Sequence, residues 1–467
     1  MISIPAIINN EYVDTFGKDN IVSIDGRVIA RSSQFPLIRI DQVKRIGEEG
    51  FKKFRAIPIR QILTDLKKVA DIFKEMNFQI GDIKITKDDY VQLVTESTGL
   101  TAEVVRTEIN EVANILYYME DILKMQVQGE LEDVLDDNRY MNHGIYTGYY
   151  PAGKTLSIKL PGNVPTICFY WLIPFAQKRP IFLIPPKEDM FTHFLLVEAI
   201  RKVNPLLSSF IAFLPSNNQF QMNLFNISEQ IMLPESVKSI VENNMELMEK
   251  VYFIHYGRSK FLITDEYKSE FADILFRKMT WNNGRTCTGL TSVICSCCAY
   301  ELTNELSEIL IADCESNIEG KIPAFPIEKA RAFNDLIDGF VRKGDVIDVT
   351  SNIRNKPRLI EFDNKGILFP TILLVKNKKS KIFGMELPFP FITVIQLEKE
   401  DEILEYAKNT LILSVISDKT ELVKNLCYEK SILKVFSGSN VERGYNYLDP
   451  HEGYVLDFLN HKKAVLL

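Results

Sequence analysis

The spacing of apolar residues along the chain changes from strand-like to helical within its first third. The first 30 residues alternate apolar and polar positions between turn signals at "INNEY" and "SIDGR", which predicts short strands and hairpins. From Ile40 to about Met76, and again in "AEVVRTEINEVANILYYMEDILKM", apolar residues recur three and four positions apart, which predicts helices. We expect these helices to pack over a sheet.

Short apolar runs bounded by Pro or Gly alternate with helical segments in the rest of the chain. "PIFLIPP" and "SSFIAFLPS" flank the helical "FTHFLLVEAIRKV", and "KVYFIHYG" and "SKFLIT" continue the series. A second such section runs from Tyr267 to about Ile432 and includes the predicted strands "SVICSCCAY" and "GILFPTILLVK". Strand–helix–strand order with this spacing predicts parallel sheets. We therefore expect an α/β protein with two doubly wound parallel-sheet sections and a small β appendage.

Length, charge and cysteine content narrow the class of protein. A chain of 467 residues predicts two or three domains, and its net charge of −7 argues against nucleic-acid binding, which needs a basic face. Seven cysteines and no opening apolar segment predict reduced thiols and a cytoplasmic location. The most apolar run, "TICFYWLIPFA", is shorter than the roughly 20 residues of a membrane span, so we expect no transmembrane segment.

Cys287 lies in the small polar loop "WNNGRTCTGL" at residues 281–290. A nucleophilic thiol must be available as the thiolate, which needs hydrogen-bond donors or a positive neighbour, and small residues leave room for a substrate carbonyl. The loop offers hydroxyl groups, glycines and the cation of Arg285. A surface turn with a spare cysteine would have the same composition, so the loop alone leaves both interpretations open.

Four motifs in order resemble the aldehyde dehydrogenase superfamily. "NNGRTCTGL" is similar to its nucleophile motif Asn-x-Gly-Gln-x-Cys, with Arg285 in place of Gln. "PAGKTLSIKLPGNVPTICFYWLIPFA" resembles the segment with its oxyanion asparagine, here Asn163, and "MELPFPFITVI" resembles Glu-x-Phe-Gly-Pro, with Glu386 at the nicotinamide-ribose position. "IINNEYVDTFGK" resembles the opening strands. On composition alone, Asn163 would be a turn residue and Glu386 a solvated glutamate.

The resemblance implies a fold, a domain division and an assembly. It implies an aldehyde dehydrogenase-like fold in which residues 1–254 bind the cofactor, with a hairpin at about 140–160 for oligomerisation. Residues 255–432 form the catalytic domain with the cysteine nucleophile. Residues 433–467 return to the cofactor domain and the oligomerisation sheet. A homo-oligomer, dimer or tetramer, is therefore expected.

The resemblance also implies covalent chemistry at Cys287. Its thiolate would attack a carbonyl, and the Asn163 amide with the Cys287 backbone N–H would stabilise the oxyanion by several kcal/mol. The acyl-enzyme would then exchange a hydride with a nicotinamide cofactor, NADPH or NADH. The cofactor motif Lys-Pro-Ser-Glu is replaced by "PPKE" at residues 185–188, where Pro185 cannot donate a hydrogen bond. Lys187 and Glu188 remain the candidates for cofactor contact, with Lys178 a second possible phosphate ligand.

One departure from the family pattern bears on the reaction. In the segment that resembles Glu-Leu-Gly-Gly-Lys, here "FIHYGRSKFLI", Ile254 stands where hydrolytic members have the glutamate that activates water. An isoleucine cannot accept a proton, so the acyl-enzyme should exchange with a thiol rather than hydrolyse, which predicts an acyl thioester substrate. His255 would be an acid or base, or a structural histidine. His451 in "DPHEG" is expected to stabilise a turn.

Two segments of the chain also resemble one subfamily of this superfamily. "FIHYGRSKFLI" and the tail "GYNYLDPHEGYVLDFLNHKKAVLL" are similar to the long-chain acyl-CoA and acyl-protein thioester reductases of bacterial bioluminescence systems. This resemblance implies a fatty acyl group bound to CoA or to an acyl-carrying protein, with a fatty aldehyde as product. It also places Trp171 and Cys168 along an acyl tunnel, although an ordinary helix–sheet core would explain both residues.

Several other sequence patterns have more than one explanation. "CSCC" at residues 295–298 is expected to pack in a strand rather than bind metal, so no metal site is predicted. "KNKKSK" at residues 376–381 is a solvated loop or a patch that attracts CoA phosphates or an acidic carrier. Two other functions remain open: an aldehyde-oxidising dehydrogenase that uses Glu242 or His255 as its base, and a non-catalytic scaffold of the same fold.

Overall fold

The computed structural model describes residues 1–465 except His143 and Tyr445, so Leu466 and Leu467 of the C-terminal segment also lie outside the described residues. Its first large sheet has seven strands. Five of them are parallel, and an antiparallel N-terminal hairpin adds the last two. In spatial order the strands are Val251–Ile254, Gln230–Pro234, Leu156–Lys159, Ile181–Ile184, Ile211–Phe213, Ala6–Ile8 and Glu11–Val13.

Helices cover both faces of this sheet. Along the strand Ile181–Ile184, Ile181 and Leu183 join one apolar core, whereas Phe182 and Ile184 join a second core on the opposite face. Successive side chains of a strand point to opposite faces, so a strand buried on both sides is a continuous apolar run. Burial of each such side chain contributes about 1.5–3 kcal/mol. The run "IFLI" therefore fits the doubly wound arrangement expected from the sequence.

The second large sheet also has seven strands, six of them parallel. In spatial order they are Val346–Asp348, Thr371–Val375, Phe391–Gln396, Leu290–Cys295, Ser259–Ile263, Thr410–Ile416 and Ile432–Ser437. Leu373 and Val375 pack on one face, and Ile372 and Leu374 pack on the other. The α/β class with two doubly wound parallel sheets is confirmed.

A small antiparallel sheet joins the C-terminus to the middle of the chain. Asn460–Val465 pairs with Ile145–Pro151, which in turn pairs with Arg139–Asn142. The expected domain boundary after residue 254 falls between the last strand of the first sheet and the first strand of the second. The expected boundary at residue 432 is too early, because Ile432–Ser437 pairs with Thr410–Ile416 and extends the second sheet. Assembly through the small sheet stays a prediction.

The remaining elements surround the sheets. The other strands are Ile2–Ile4, Lys18–Val22, Val28–Ser33, Phe78–Ile80, Ile83–Ile85, Ala324–Pro326, Leu359–Phe362 and Lys365–Leu368. The α-helices are Ile40–Arg55, Ile59–Glu75, Lys87–Thr98, Ala102–Tyr117, Met119–Gln126, Leu131–Leu135, Phe169–Ala176, Met190–Val203, Pro205–Ser208, Asn218–Ile227, Met245–Met248, Glu270–Thr280, Ala299–Ser316, Ile318–Lys321, Ile327–Arg342, Glu400–Ala407, Thr420–Tyr428 and Val455–Leu459. The 3₁₀ helices are Leu37–Arg39, Pro165–Cys168, Glu235–Ile240, Trp281–Gly284, Val349–Asn352 and Gly438–Asn440.

The cysteine-rich run differs from its expected form. The strand Leu290–Cys295 ends at the first cysteine, and Cys298, with a φ of +57°, is the residue before the helix Ala299–Ser316. All seven cysteines are free thiols. Within residues 1–142, 144–444 and 446–465, His, Cys, Asp and Glu side chains form no group of three or more that could hold a metal. Over the same residues, no helix combines the length and apolarity that crossing a membrane requires.

Candidate active site

Cys287 lies in the turn between the 3₁₀ helix Trp281–Gly284 and the strand Leu290–Cys295, at the N-terminal end of a central strand of the second sheet. The sequence "NNG" permits this turn. Asn282, Asn283 and Gly284 have φ values of +48°, +55° and +68°, a region that Asn tolerates better than most residues and Gly adopts freely. The loop around the thiol is therefore encoded locally.

Buried hydrogen bonds tie this loop to the helix Ala102–Tyr117 of the first domain. The Asn282 side-chain amide donates to Glu108 Oε1 at 2.7 Å, and Glu108 Oε2 accepts the backbone N–H of Thr166 at 2.8 Å. Glu108 thus connects the nucleophile loop to the segment that follows Asn163. Its carboxyl group is fully buried, and this burial raises its pKa to about 7.

Gly257 brings the segment that precedes Ser259–Ile263 against the nucleophile. A Cβ atom on Gly257 would lie 1.5 Å from the Cys287 carbonyl oxygen, so only glycine fits. The next contact is a hydrogen bond from Ser259 Oγ to the same oxygen at 3.2 Å. The Cys287 backbone therefore packs closely against Gly257 and is hydrogen-bonded by Ser259, the first residue of the neighbouring strand.

The thiol of Cys287 is in contact with a histidine from the C-terminal segment. His451 Nε2 lies 3.2 Å from Cys287 Sγ, and His451 Nδ1 lies 2.6 Å from Glu452 Oε2. Tyr170 OH donates to Glu452 Oε1 at 3.1 Å, and the His255 backbone N–H donates to the same oxygen at 3.1 Å. Cys287, His451 and Glu452 form a nucleophile–base–carboxylate series, the arrangement that activates nucleophiles in unrelated enzymes.

The charges in this series reinforce one another. Burial alone would lower the pKa of His451, but the negative charges of Cys287 and Glu452 raise it to about 10. Burial would raise the pKa of Glu452, whereas the adjacent His451 holds it below the usual carboxyl range. At neutral pH an imidazolium therefore faces the sulfur, and a positive neighbour favours the reactive thiolate.

A small cavity of about 40 Å³ opens beside the thiol. Its lining residues are Asn163, Val164, Thr166, Ile167, Phe169, Thr286, Cys287, Thr288, Tyr447 and His451. In the part of the chain that the structure describes, this wall contains no aspartate or glutamate. The cavity brings Asn163 and Cys287 together, as the motif assignment expects. Its volume is far below the roughly 300–1,000 Å³ of typical ligand pockets, so a long acyl chain does not fit this conformation.

Trp171 and Cys168 lie in the protein core rather than along this cavity, contrary to the expected tunnel. Both side chains are fully buried, and Trp171 Nε1 donates to His193 Nδ1 at 3.2 Å. Burial raises the pKa of the Cys168 thiol well above its ordinary value. The neighbouring residues Thr166, Ile167 and Phe169 line the cavity instead.

The other candidate bases are directed elsewhere. The His255 side chain is 52% exposed, and its Nδ1 lies 3.3 Å from Glu235 Oε2. Glu242 is exposed on a turn after the 3₁₀ helix Glu235–Ile240. Ile254 is buried in the main apolar core of the first domain. The ring in contact with Cys287 is therefore that of His451, which the sequence assigned to a turn.

A cleft of about 540 Å³ lies at the carboxyl ends of the first sheet's parallel strands. Lys159, Ile184 and Pro234 end three adjacent strands at its floor, and the chain reverses its direction of strand addition there, which is where α/β sheets bind ligands. Lys187 and Glu188 also line the cleft. Asn163 lines both this cleft and the cavity at Cys287, so the two spaces adjoin.

Two further residues of the expected cofactor site occupy other environments. Glu386 accepts hydrogen bonds from the backbone N–H groups of Gly257 at 3.1 Å and Arg258 at 3.4 Å, and lines a separate basic cavity. Burial raises the pKa of its carboxyl group. Lys178 is fully buried and pairs with Asp136, so it is not exposed to the cleft.

The sequence interpretation missed His451 and Glu452 as reactive groups and Glu108 as a link between loops. The chain has five histidines, and the adjacent His-Glu pair in "DPHEG" was the available signal. The sequence around this pair does not distinguish it from an ordinary turn, because Cys287, the partner of His451, is 164 residues away along the chain.

Comparison with known proteins agrees with the fold. The model of the aldehyde dehydrogenase family matches residues 17–412. A comparison with curated proteins gave no match. Similar solved structures include an NADP-dependent glyceraldehyde-3-phosphate dehydrogenase from Bacillus halodurans C-125 complexed with NADP, at 15% identity, TM-score 0.77 and coverage of 100% of this chain and 99% of that chain.

Two other solved structures have the same fold over comparable lengths. Lactaldehyde dehydrogenase from Escherichia coli has 14% identity and a TM-score of 0.77, covering 100% of this chain and 99% of its own. A salicylaldehyde dehydrogenase from Pseudomonas putida G7, complexed with salicylaldehyde, has 16% identity and a TM-score of 0.76, covering 100% and 98%. Because the family model spans most of its residues and the fold matches along its whole length, the chain belongs to the aldehyde dehydrogenase family.

Proposed function

We propose that this protein reduces an acyl thioester to an aldehyde, with NADPH or NADH as reductant and Cys287 as the covalent nucleophile. The observation behind the proposal is the composition of the cavity at the thiol. Its described wall has no carboxylate, Ile254 is an apolar core residue, and the titratable group in contact with Cys287 is the charged His451. Such a site supports attack by a thiolate better than activation of a water.

The first half-reaction transfers the acyl group to Cys287. The thiolate attacks the thioester carbonyl, and the Asn163 amide and the Cys287 backbone N–H stabilise the oxyanion. The carbonyl carbon–Sγ bond forms first, and the bond to the carrier sulfur breaks when the oxyanion returns its electron pair to the carbonyl. Acylation removes the negative charge that helps His451 hold its proton, so His451 protonates the departing thiolate. Glu452 keeps the imidazole ring oriented throughout.

The cleft of the first domain suits a dinucleotide. It lies at the reversal point of a parallel sheet and adjoins the thiol through Asn163. Lys159 at its floor donates to Gln221 Oε1 at 2.7 Å, and burial lowers the pKa of Lys159, a cost that a bound phosphate would offset. Lys187, Glu188 and Asn163 would hold the cofactor, which supplies one hydride to the acyl carbon when bound.

The second half-reaction releases the aldehyde from Cys287. The carbon–Sγ bond breaks, and its electron pair returns to the sulfur as thiolate. A proton from solvent restores His451 to its charged form, which again stabilises the thiolate. The overall change consumes one thioester, one reduced cofactor and one proton, and produces an aldehyde, a free thiol and an oxidised cofactor.

Oxidation of an aldehyde to an acid is the second candidate function. Once His451 has given up its proton, the neutral ring, oriented by Glu452, would be able to take a proton from water and so hydrolyse the acyl-enzyme. The neighbouring solved structures include aldehyde dehydrogenases, which is consistent with this reaction.

Cofactor consumption and acid formation distinguish the two functions. In a panel of acyl-CoA substrates of increasing chain length, we expect the protein to consume NADPH or NADH. Before reductant is added, a radiolabelled acyl group should be found covalently bound to Cys287. Cys287→Ala should abolish both signals, whereas Cys427→Ala, which alters an exposed cysteine on the helix Thr420–Tyr428, should retain them. Rapid release of free acid from aldehyde and oxidised cofactor, without CoA, would contradict thioester reduction.

A further inference from the structure

The second domain contains a cavity of about 790 Å³ that is strongly basic. We call it the lysine-lined cavity after its cationic side chains, which are Arg258, Lys260, Lys378, Lys379, Lys381 and Lys408. Two carboxylates, Glu386 and Glu405, also line it. The whole chain has a net charge of −7, so this concentration of positive charge is local. A concave basic surface raises the local concentration of anions.

Part of this charge is available to a ligand. Lys378 pairs with Glu402 at 2.8 Å and Lys408 with Glu405 at 2.6 Å. Within the described ranges, Lys379 and Lys381 form no ion pair with a carboxylate, and both side chains are exposed.

The loop that presents these lysines is held in place. The backbone N–H groups of Lys376 and Asn377 both donate to the Asp345 carbonyl, at 2.9 and 3.0 Å, and the Asn377 side chain donates to the Asp345 carboxylate at 2.6 Å. Tyr406 OH donates to the Lys378 carbonyl. The loop "KNKKSK" therefore has a defined conformation rather than that of a loose solvated segment, and less conformational entropy would be lost on binding.

Aromatic rings lie beside the cations. Phe383 and Tyr406 pack edge to face, with ring centroids 5.2 Å apart, and Tyr256 lies under the Arg258 guanidinium at 5.3 Å. All of these rings line the cavity. Flat aromatic faces next to cations suit a nucleobase that bears phosphate groups, because bases stack on such rings while lysines contact the phosphates. The cavity volume falls in the roughly 300–1,000 Å³ range of small-molecule sites.

The lysine-lined cavity adjoins the nucleophile through one short segment. Tyr256 and Arg258 face the cavity, and Gly257 between them touches the Cys287 carbonyl oxygen. Arg258 has a φ of +45°, a strained value for a residue with a side chain, and its N–H is bound by Glu386. A ligand in this cavity would therefore lie next to the backbone that holds the reactive thiol.

We propose that the lysine-lined cavity binds the phosphorylated adenosine end of a coenzyme A thioester, separately from the cleft that holds the dinucleotide. The proposal rests on the thioester-reductase function proposed above. The exposed lysines contact the phosphate groups, the aromatic rings contact the adenine, and the acyl end extends toward Cys287. The phosphate groups of a dinucleotide would suit the same lysines, so the test distinguishes a coenzyme A thioester from a dinucleotide as the ligand of this cavity.

The test compares a charge-reversed cavity with a matched control. Lys379→Glu combined with Lys381→Glu alters two exposed lysines of the cavity, and Lys67→Glu combined with Lys74→Glu alters two exposed lysines on the helix Ile59–Glu75. We expect the first pair to raise the KM for an acyl-CoA about tenfold or more, because each lost phosphate contact weakens binding. The second pair should leave it within about twofold, because the charges it alters lie outside the cavity.

A substrate without the nucleotide separates this inference from the proposed function. The acyl-N-acetylcysteamine thioester of the same chain should be reduced equally well by both variants and by the unaltered protein. If the unaltered protein reduces neither thioester, the proposed function fails. Direct calorimetric binding of adenosine 3′,5′-bisphosphate to the unaltered protein, lost in the Lys379→Glu/Lys381→Glu variant, would still support the site. A rise in KM for NADPH instead of acyl-CoA, or an unchanged KM for acyl-CoA, would overturn it.

Discussion

The contact between His451 and Cys287 gives the most direct prediction about the reactive thiol. Replacing His451 by Gln keeps a polar side chain of similar reach but removes the positive charge. At the observed nitrogen–sulfur distance of 3.2 Å, two unit charges attract by about 5 kcal/mol at an effective dielectric constant of about 20. The cost of desolvating the two charges offsets part of this attraction. If a quarter of the attraction remains, it still corresponds to roughly a tenfold change in the thiolate population.

Alkylation by iodoacetamide measures the reactive thiolate without substrate or cofactor. We expect the second-order rate constant at Cys287 to fall about tenfold or more at pH 7 in His451→Gln. The charges around His451 raise its pKa to about 10, so the imidazolium persists between pH 6 and 9 and the difference in rate between the two proteins should be present throughout that range.

A matched variant and a folding measurement serve as controls for this experiment. His461→Gln alters an exposed histidine on the C-terminal strand Asn460–Val465 and should leave the alkylation rate unchanged. Circular dichroism should show that His451→Gln keeps its secondary structure. Equal alkylation rates in His451→Gln and the unaltered protein across this pH range would refute the assigned role of His451.

Three further variants test other contacts of the structure. Burial raises the pKa of Glu108 from 4.5 to about 7, so between these pH values the folded protein binds one more proton than the unfolded chain and loses about 3 kcal/mol of stability as the pH rises. Glu108→Gln should abolish this part of the pH dependence of the melting temperature, and an equal dependence in both proteins would contradict it. Gly257→Ala should reduce kcat at least about a hundredfold, because its Cβ would meet the Cys287 carbonyl oxygen at 1.5 Å, whereas Gly339→Ala, with open space around it, should not. Asp348→Asn should destabilise the second domain by about 3–5 kcal/mol in thermal melts, because it leaves the buried Arg354 without its carboxylate partner and removes one of the two carboxylates that pair with the buried Arg358. An unchanged midpoint would contradict this.

The reactive side chains differ in how far their positions were predictable. Asn163 and Cys287 belong to local motifs, and the structure brings them to one cavity. His255 was a reasonable candidate because it follows the position of the missing glutamate, but its ring turns toward Glu235. Trp171 was predicted to line an acyl tunnel, but its side chain is buried in the core, and Phe169 of the same helix lines the cavity at Cys287. A sequence pattern does not define the rotation of a short helix that is apolar on all sides.

The sequence by itself determined the strand and helix order, the turn "NNG" that presents Cys287 and the absence of a carboxylate at position 254. These features depend on backbone preferences and apolar spacing within short segments. The tertiary structure alone decided that His451 faces the thiol, that Glu108 titrates near neutrality and that the cavity beside Cys287 measures about 40 Å³. Electrostatic energies and cavity shape depend on distances and burial among residues far apart in the chain, so no local pattern encodes them.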